Sequence, residues 1–235
     1  MIRVLGIGMG PQHVTPEVAN ALRGCDYVLA ASKREEDELL AVRRAICEEH
    51  GVELVAVRDP ERDREPVGDG GYVTAVADWH QARVAAYRAV LDERPGTVGF
   101  LVWGDPALYD STIRIVESLG EEYDVLPGIS APQALAARHR IVLHAVGAPV
   151  HVTTARRLRG DIAAGQTNLV VMLGRSLELD GLEDWSIWWG ANLGTPSEEL
   201  VAGRVGDVLG ELDAARARAK AAAGWVMDVY LLRAP

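Results

Sequence analysis

The chain has 235 residues, 49% of them hydrophobic, and sets 34 acidic side chains against 24 basic ones for a formal net charge of −10. That balance excludes the basic footprint of a nucleic-acid binder, and no stretch approaches the roughly 20 consecutive apolar residues of a membrane span. The length suits two domains of about 110 residues each.

Apolar runs alternate with amphipathic stretches from the start. Ile2–Met9 reads as a buried strand, and Thr15-Pro16-Glu17 opens a helix with Thr15 as N-cap and Pro16 at the first helical position. Tyr27–Ala31 is a second strand. Asp37–His50 is a helix with Leu39, Val42 and Ile46 on one face, stopped by Gly51, and Val52–Val57 is a third strand. Arg58–Gly71 (RDPERDREPVGDGG) is too charged and too rich in Gly and Pro to bury itself, and an exposed loop is expected there. Val73, Val76, His80, Val84, Tyr87 and Leu91 fall at helical spacing, with His80 as a packing residue. Thr97–Val102 is a fourth strand, Ile113–Leu119 a helix and Tyr123–Leu126 a fifth strand. This rhythm implies right-handed crossovers and a mostly parallel sheet.

The second half has more strands per helix. Val150–Thr154, Leu169–Leu173, Ser186–Leu193, Leu200–Val205 and Val226–Leu232 read as strands, and Ala214–Ala223 as an Ala-rich helix ended by Gly224. A mixed sheet is expected. The fold class is therefore α/β in two domains, 1–126 and 127–235. The opening MIRVLGIGMG lacks the charged and long apolar regions of a secretory signal, so a cytoplasmic location is expected. Cys25 and Cys47 are the only two cysteines and lack CxxC spacing; they read as reduced thiols, in the core or at the surface, and no metal site is expected.

Three loops follow strands that should share one sheet. The first, GIGMGPQHVT, resembles a dinucleotide fingerprint, but Pro11 stands where the third glycine belongs and the second strand ends in Ser32 rather than an acid. The second, WGDP, follows the fourth strand. Gly104 permits an unusual backbone conformation, Pro106 suits a first helical turn, and Asp105 can cap it. The third, LPGIS, ends the fifth strand, with Ser130 as N-cap of a helix over Ala131–Arg138. Beyond it, Val125–Gly160 contains no acid where about five are expected, yet holds Arg138, Arg140, Arg156, Arg157 and Arg159 and half the histidines. A solvated helix face is one reading of that bias, and an anion-facing surface is the other. Catalytic-triad, zinc and P-loop spacings are absent.

The ordered set G-x-G-x-G…T, GDPxxY, PGIS, an apolar strand ending in Met172 and a late Gly194-Thr195 resembles the tetrapyrrole methylases over essentially the whole chain. FLVWGDPALYDSTIRIVE, LPGISAPQALAARHRI, WWGANLGTPSEELVAGR and GWVMDVYLLR extend the match beyond the shared motifs. The resemblance implies a homodimer of two-domain methyltransferases acting on an anionic tetrapyrrole, with S-adenosylmethionine (SAM) folded into the cleft between the domains. It implies cofactor contacts at Met9, Trp103, Gly104, Asp105, Leu108, Ser130, Ala131, Met172, Gly194 and Thr195, the WGDP corner offering backbone amides and its carboxylate. Gly8 and Gly10 should face substrate. Met9 stands where the family usually has Pro, and Trp103 where it usually has Gly. Tetrapyrrole carboxylates suit arginine forks, which makes Arg138, Arg140, Arg156 and Arg157 substrate candidates, although Arg138 and Arg140 also suit a helix C-terminus. Where methyl transfer is coupled to hydrolysis, the acid–base candidates are Asp105, Tyr109, Asp110 and His139, and sequence does not choose between them.

Overall fold

The computed structural model describes residues 1–32, 38–61 and 71–235. Most of the charged segment expected as a loop, residues 62–70, lies outside the described residues. The chain divides into two compact units, Met1–Ile129 and Ser130–Pro235.

The first unit runs β1 (Ile2–Gly6), α1 (Pro16–Arg23), β2 (Tyr27–Ser32), α2 (Glu38–Glu49), β3 (Glu53–Arg58), α3 (Gly71–Glu93), β4 (Val98–Val102), α4 (Thr112–Leu119) and β5 (Tyr123–Leu126). Its five strands pair in parallel in the order β3-β2-β4-β1-β5. Both faces are covered, which is why these strands read as unbroken apolar runs. Ile2, Val4, Tyr27, Leu29, Phe100 and Val102 pack on one side with Tyr87 of α3 and Ile115, Val116 and Leu119 of α4. The alternate residues Leu5, Val28 and Leu101 pack on the other with Val18 and Leu22 of α1 and Ile46 of α2. Each fully buried aliphatic side chain contributes about 1.5–3 kcal/mol. β1 stops at Gly6 rather than Met9, because Gly8 turns the backbone to φ +64°. Register brings Leu5, Leu101 and Leu126 level near the carboxyl ends of three adjacent strands, with Gly6 and Val102 one residue beyond, the end at which ligands enter open parallel sheets.

The second unit runs α5 (Ala131–His139), β6 (His151–Thr154), α6 (Leu158–Ala163), β7 (Asn168–Met172), β8 (Ser186–Ala191), β9 (Glu199–Arg204), α7 (Val205–Ala223) and β10 (Asp228–Arg233). The sheet order is β6-β7-β10-β8-β9, parallel only between β6 and β7. Trp189 and Tyr230 are fully buried at its centre, and α7 covers it through Leu212, Ala215 and Ala219. α7 begins nine residues earlier than Ala-rich composition indicates, at Val205 rather than Ala214. Val205, Val208 and Leu212, spaced for one helical face, pack on the core and override the poor propensity of Gly206 and Gly210. α6, which periodicity did not announce, is pinned by the buried Leu158. β10 begins at Asp228 instead of Val226 because the Met227 amide donates out of the sheet to Asn192 Oδ1 at 2.9 Å.

Residues 127–129, expected in the second domain, belong to the first unit. The Gly128 amide donates to Asp105 Oδ2 at 3.0 Å and ties them there.

Candidate functional site

At the carboxyl end of the parallel sheet the three loops are locked by backbone contact. Ile7 N donates to Val102 O at 2.9 Å, and Gly8 and Gly104 exchange amide bonds at 3.2 and 2.8 Å in an isolated antiparallel bridge. The third loop is closer still. A Cβ at Gly6 would lie 2.5 Å from Gly128 N, and a Cβ at Gly128 would collide with Gly104 O and come 2.7 Å from Gly6 C. No side chain fits at either place.

Asp105 completes the lock. Its Oδ1 accepts from Ala107 N at 2.8 Å and its Oδ2 from Gly128 N. The Leu108 amide returns to Asp105 O at 3.1 Å, and the Met9 amide donates to His13 Nδ1 at 3.2 Å. The amides of Gly8, Met9, Gly104, Ala107 and Leu108 are thus taken inside the corner. These five amides hold the corner rigid. Gly8, Met9 and Gly10 are buried, with Gly10 O accepting from His13 N at 2.9 Å.

Side chains of the same loop are differently placed. The Trp103 ring lies 5.9 Å from the Arg43 guanidinium, which is itself held by Leu101 O at 2.9 Å and Leu39 O at 3.3 Å. The ring therefore packs toward α2. Its Nε1–H is buried without a hydrogen-bond partner among the described residues, an arrangement that normally costs about 1–3 kcal/mol. Asp110 Oδ1 caps α4 through Thr112 N at 2.6 Å. Tyr109 is 46% exposed and held at φ +53°, a left-handed conformation uncommon for a bulky residue and most often met at functional sites. His139 Nε2–H donates to Trp189 O at 2.9 Å, so it serves the second unit's sheet.

In the second unit, Ser130 forms a full capping box with Gln133 and is buried, which spends its hydroxyl on α5 and sets Ala131 as the first helical residue. Met172 ends β7 half-buried and is followed by Leu173, exposed and at φ +59°. Gly194 and Thr195 sit in a turn organised by Asn192, which sequence reasoning missed. Asn192 is fully buried at φ +48°. Its side chain accepts from Met227 N and donates to Ser197 Oγ, Ala219 O and Trp225 O, while its carbonyl accepts from the Thr195 amide and hydroxyl. An Asn two residues before a Gly is a signal for such a turn, since Asn tolerates the left-handed region.

The four candidate arginines separate. Arg138 Nε bonds both oxygens of Glu198 at 2.9 and 3.0 Å. Arg157, 71% exposed, reaches Asp161 at 3.3 Å. Arg140 and Arg156 are exposed, and Arg140 has no ion pair among the described residues. The acid-free stretch is thus partly neutralised by acids from outside it. Asp161, buried against the Thr153 hydroxyl, His151 and Arg157, has its carboxyl held below the usual range, chiefly by the Thr153 bond. No cluster of three metal-ligating side chains occurs among the described residues, and no described helix is long and apolar enough to cross a membrane.

Comparison with known proteins identifies the family. The family described as Tetrapyrrole (Corrin/Porphyrin) Methylases matches residues 1–209. A precorrin-6A synthase (deacetylating) from Sinorhizobium sp. is 43% identical, the alignment covering 99% of this chain and 94% of that protein. The crystal structure of a cobalamin synthesis related protein (CobF) from Corynebacterium diphtheriae superposes with a TM-score of 0.83 at 35% identity, covering 99% of this chain and 98% of that one. Uroporphyrin-III C-methyltransferase from Thermus thermophilus, solved with S-adenosylhomocysteine, shares the fold at a TM-score of 0.59 and 19% identity over 99% and 96% of the two chains.

Proposed function

The chain belongs to the tetrapyrrole (corrin/porphyrin) methylases, and we propose that it performs the precorrin-6A synthase reaction: SAM-dependent methylation of precorrin-5 at C1 with release of acetate. The observation that carries this reading is the 43% identity to a precorrin-6A synthase over both units.

The residues fit the cofactor. SAM, when bound, supplies an electrophilic methyl group on a sulfonium and brings an aminoacyl tail with one carboxylate and one ammonium. Trp103 Nε1–H is a buried donor with no hydrogen-bond partner among the described residues, and Asp105, after accepting two amides, keeps carboxylate lone pairs for an ammonium. Met9, Gly104 and Leu108 of the first unit, and Ser130, Ala131, Met172, Gly194 and Thr195 of the second, are the further residues the family pattern assigns to the cofactor. Gly8 and Gly10 shape the wall toward the substrate.

An electron-rich ring carbon needs little acid–base help to take a methyl group, so the chain chiefly supplies alignment, which lowers a barrier by several kcal/mol. Cations belong at the substrate's rim rather than beside the sulfonium, where they would repel it. Arg140, Arg156 and Arg157 take that role, pairing with acetate and propionate carboxylates. Loss of acetate requires a delivered water. Asp105 and Asp110 are each committed to backbone amides, which favours Tyr109, the residue the corner holds outward in a strained conformation. The reading extends to a cytoplasmic homodimer, for which sedimentation and cell fractionation are the checks.

Mass spectrometry after incubation with precorrin-5 and SAM tests the reaction. Gain of one methyl with loss of acetyl is expected. Methyl gain alone would point to a sister enzyme acting at another ring carbon, and an unchanged substrate would sink the proposal.

A further inference from the structure

Arg138 suits a substrate arginine by type but not by its contacts. It lies in the last turn of α5, where a cation normally faces free carbonyls. Instead its Nε straddles the Glu198 carboxylate, and Glu198 Oε2 at the same time accepts from Gly194 N at 2.6 Å. The Glu198 amide closes the turn by donating to Thr195 O at 3.1 Å. One carboxylate therefore bridges the end of α5 to the backbone of the Gly194–Thr195 turn, and α5 itself begins at Ser130–Ala131. The inner end of that turn is over-determined by Asn192, with its hydrogen bonds in a fully buried setting. Its outer end is held by Glu198, whose side chain is only 21% exposed.

We infer that Arg138 and Glu198 are a positioning pair: they fix the Gly194–Thr195 turn against α5 and so tune affinity for the cofactor from outside its site. This rests on the reading that Ser130–Ala131 and Gly194–Thr195 contact SAM. The neighbouring residue provides an internal control. Glu199 pairs with Arg218 of α7 through a two-nitrogen fork at 3.0 and 2.7 Å, an ion pair for which no bond to an amide of the turn is seen.

Isothermal titration with S-adenosylhomocysteine, alongside thermal melts, separates positioning from mere stability. Glu198→Ala, which releases a charge-assisted amide bond, should raise Kd about tenfold. Arg138→Ala, which removes a partly exposed ion pair but leaves the amide bond, should raise it about threefold, and Arg138→Lys should restore most of the loss. In turnover, KM for SAM should rise while kcat holds. Arg218→Ala should leave Kd unchanged. Equal Kd for Arg138→Ala and the parent chain, or an equal weakening by Arg218→Ala, overturns the inference. Should Glu198→Ala fail to fold, the Arg138 variants decide. A parent chain that does not bind S-adenosylhomocysteine removes the underlying reading and the inference with it.

Discussion

Gly128 N donates to the Asp105 carboxylate, and a Cβ at this position would strike the main chain of Gly6 and Gly104. Because those neighbours are main chain, they cannot swing aside as a flexible side chain would. Gly128→Ala should therefore cost about 2–3 kcal/mol, toward the upper end for overpacking, visible as a lower urea midpoint with an unchanged slope. The two thiols belong to the same unit. Burial pushes Cys25 up to about 11 and Cys47 up to about 12, so at pH 8 neither is a thiolate nucleophile. Native protein at that pH should resist iodoacetamide, and both residues should label once urea is added, as read by mass spectrometry. Spacing indicates reduced thiols but leaves open whether they lie in the core or on the surface; the structure buries both. The fate of Asp105 was not legible in the sequence, since its two amide partners come from residues 2 and 23 positions away and only the closed sheet brings the second to it.

Among the elements, the junction of β6 with α6 is open to pH. Asp161 is held below the ordinary carboxylate pKa first by Thr153, then by His151 and Arg157. A carboxyl depressed on folding stabilises the fold above its unfolded value, near 3.9, and that stability is lost as pH falls through the lower folded value. Thr153→Val should thus weaken the protein at pH 7, and the gap from the parent should narrow by pH 3 in paired urea titrations. Element order was largely readable because buried parallel strands give continuous apolar runs and helices give their own spacing. The misses have physical causes. The first half of α7 is carried by the packing of Val205 and Leu212 against a sheet that no local window contains. The Glu198 bridge to Arg138 spans 60 residues, so neither residue's surroundings in the chain announce it.

For the molecule as a whole, ligand binding should appear as stability. S-adenosylhomocysteine at 100 times its Kd should add about 2.7 kcal/mol, or about 5–10 °C in Tm for a chain of this size, and a flat melting temperature across a titration would argue against the cofactor assignment. The sheet order of the first unit has a consequence during synthesis. β1 is made before every other strand of its sheet, yet its two partners, β4 and β5, begin only at Val98 and Tyr123. At about 5–20 residues per second, an apolar ribbon is complete roughly 5–20 s before its first partner strand exists to receive it. Until then the glycine corner has only one of its three sides, and the nascent chain depends on whatever shields that ribbon.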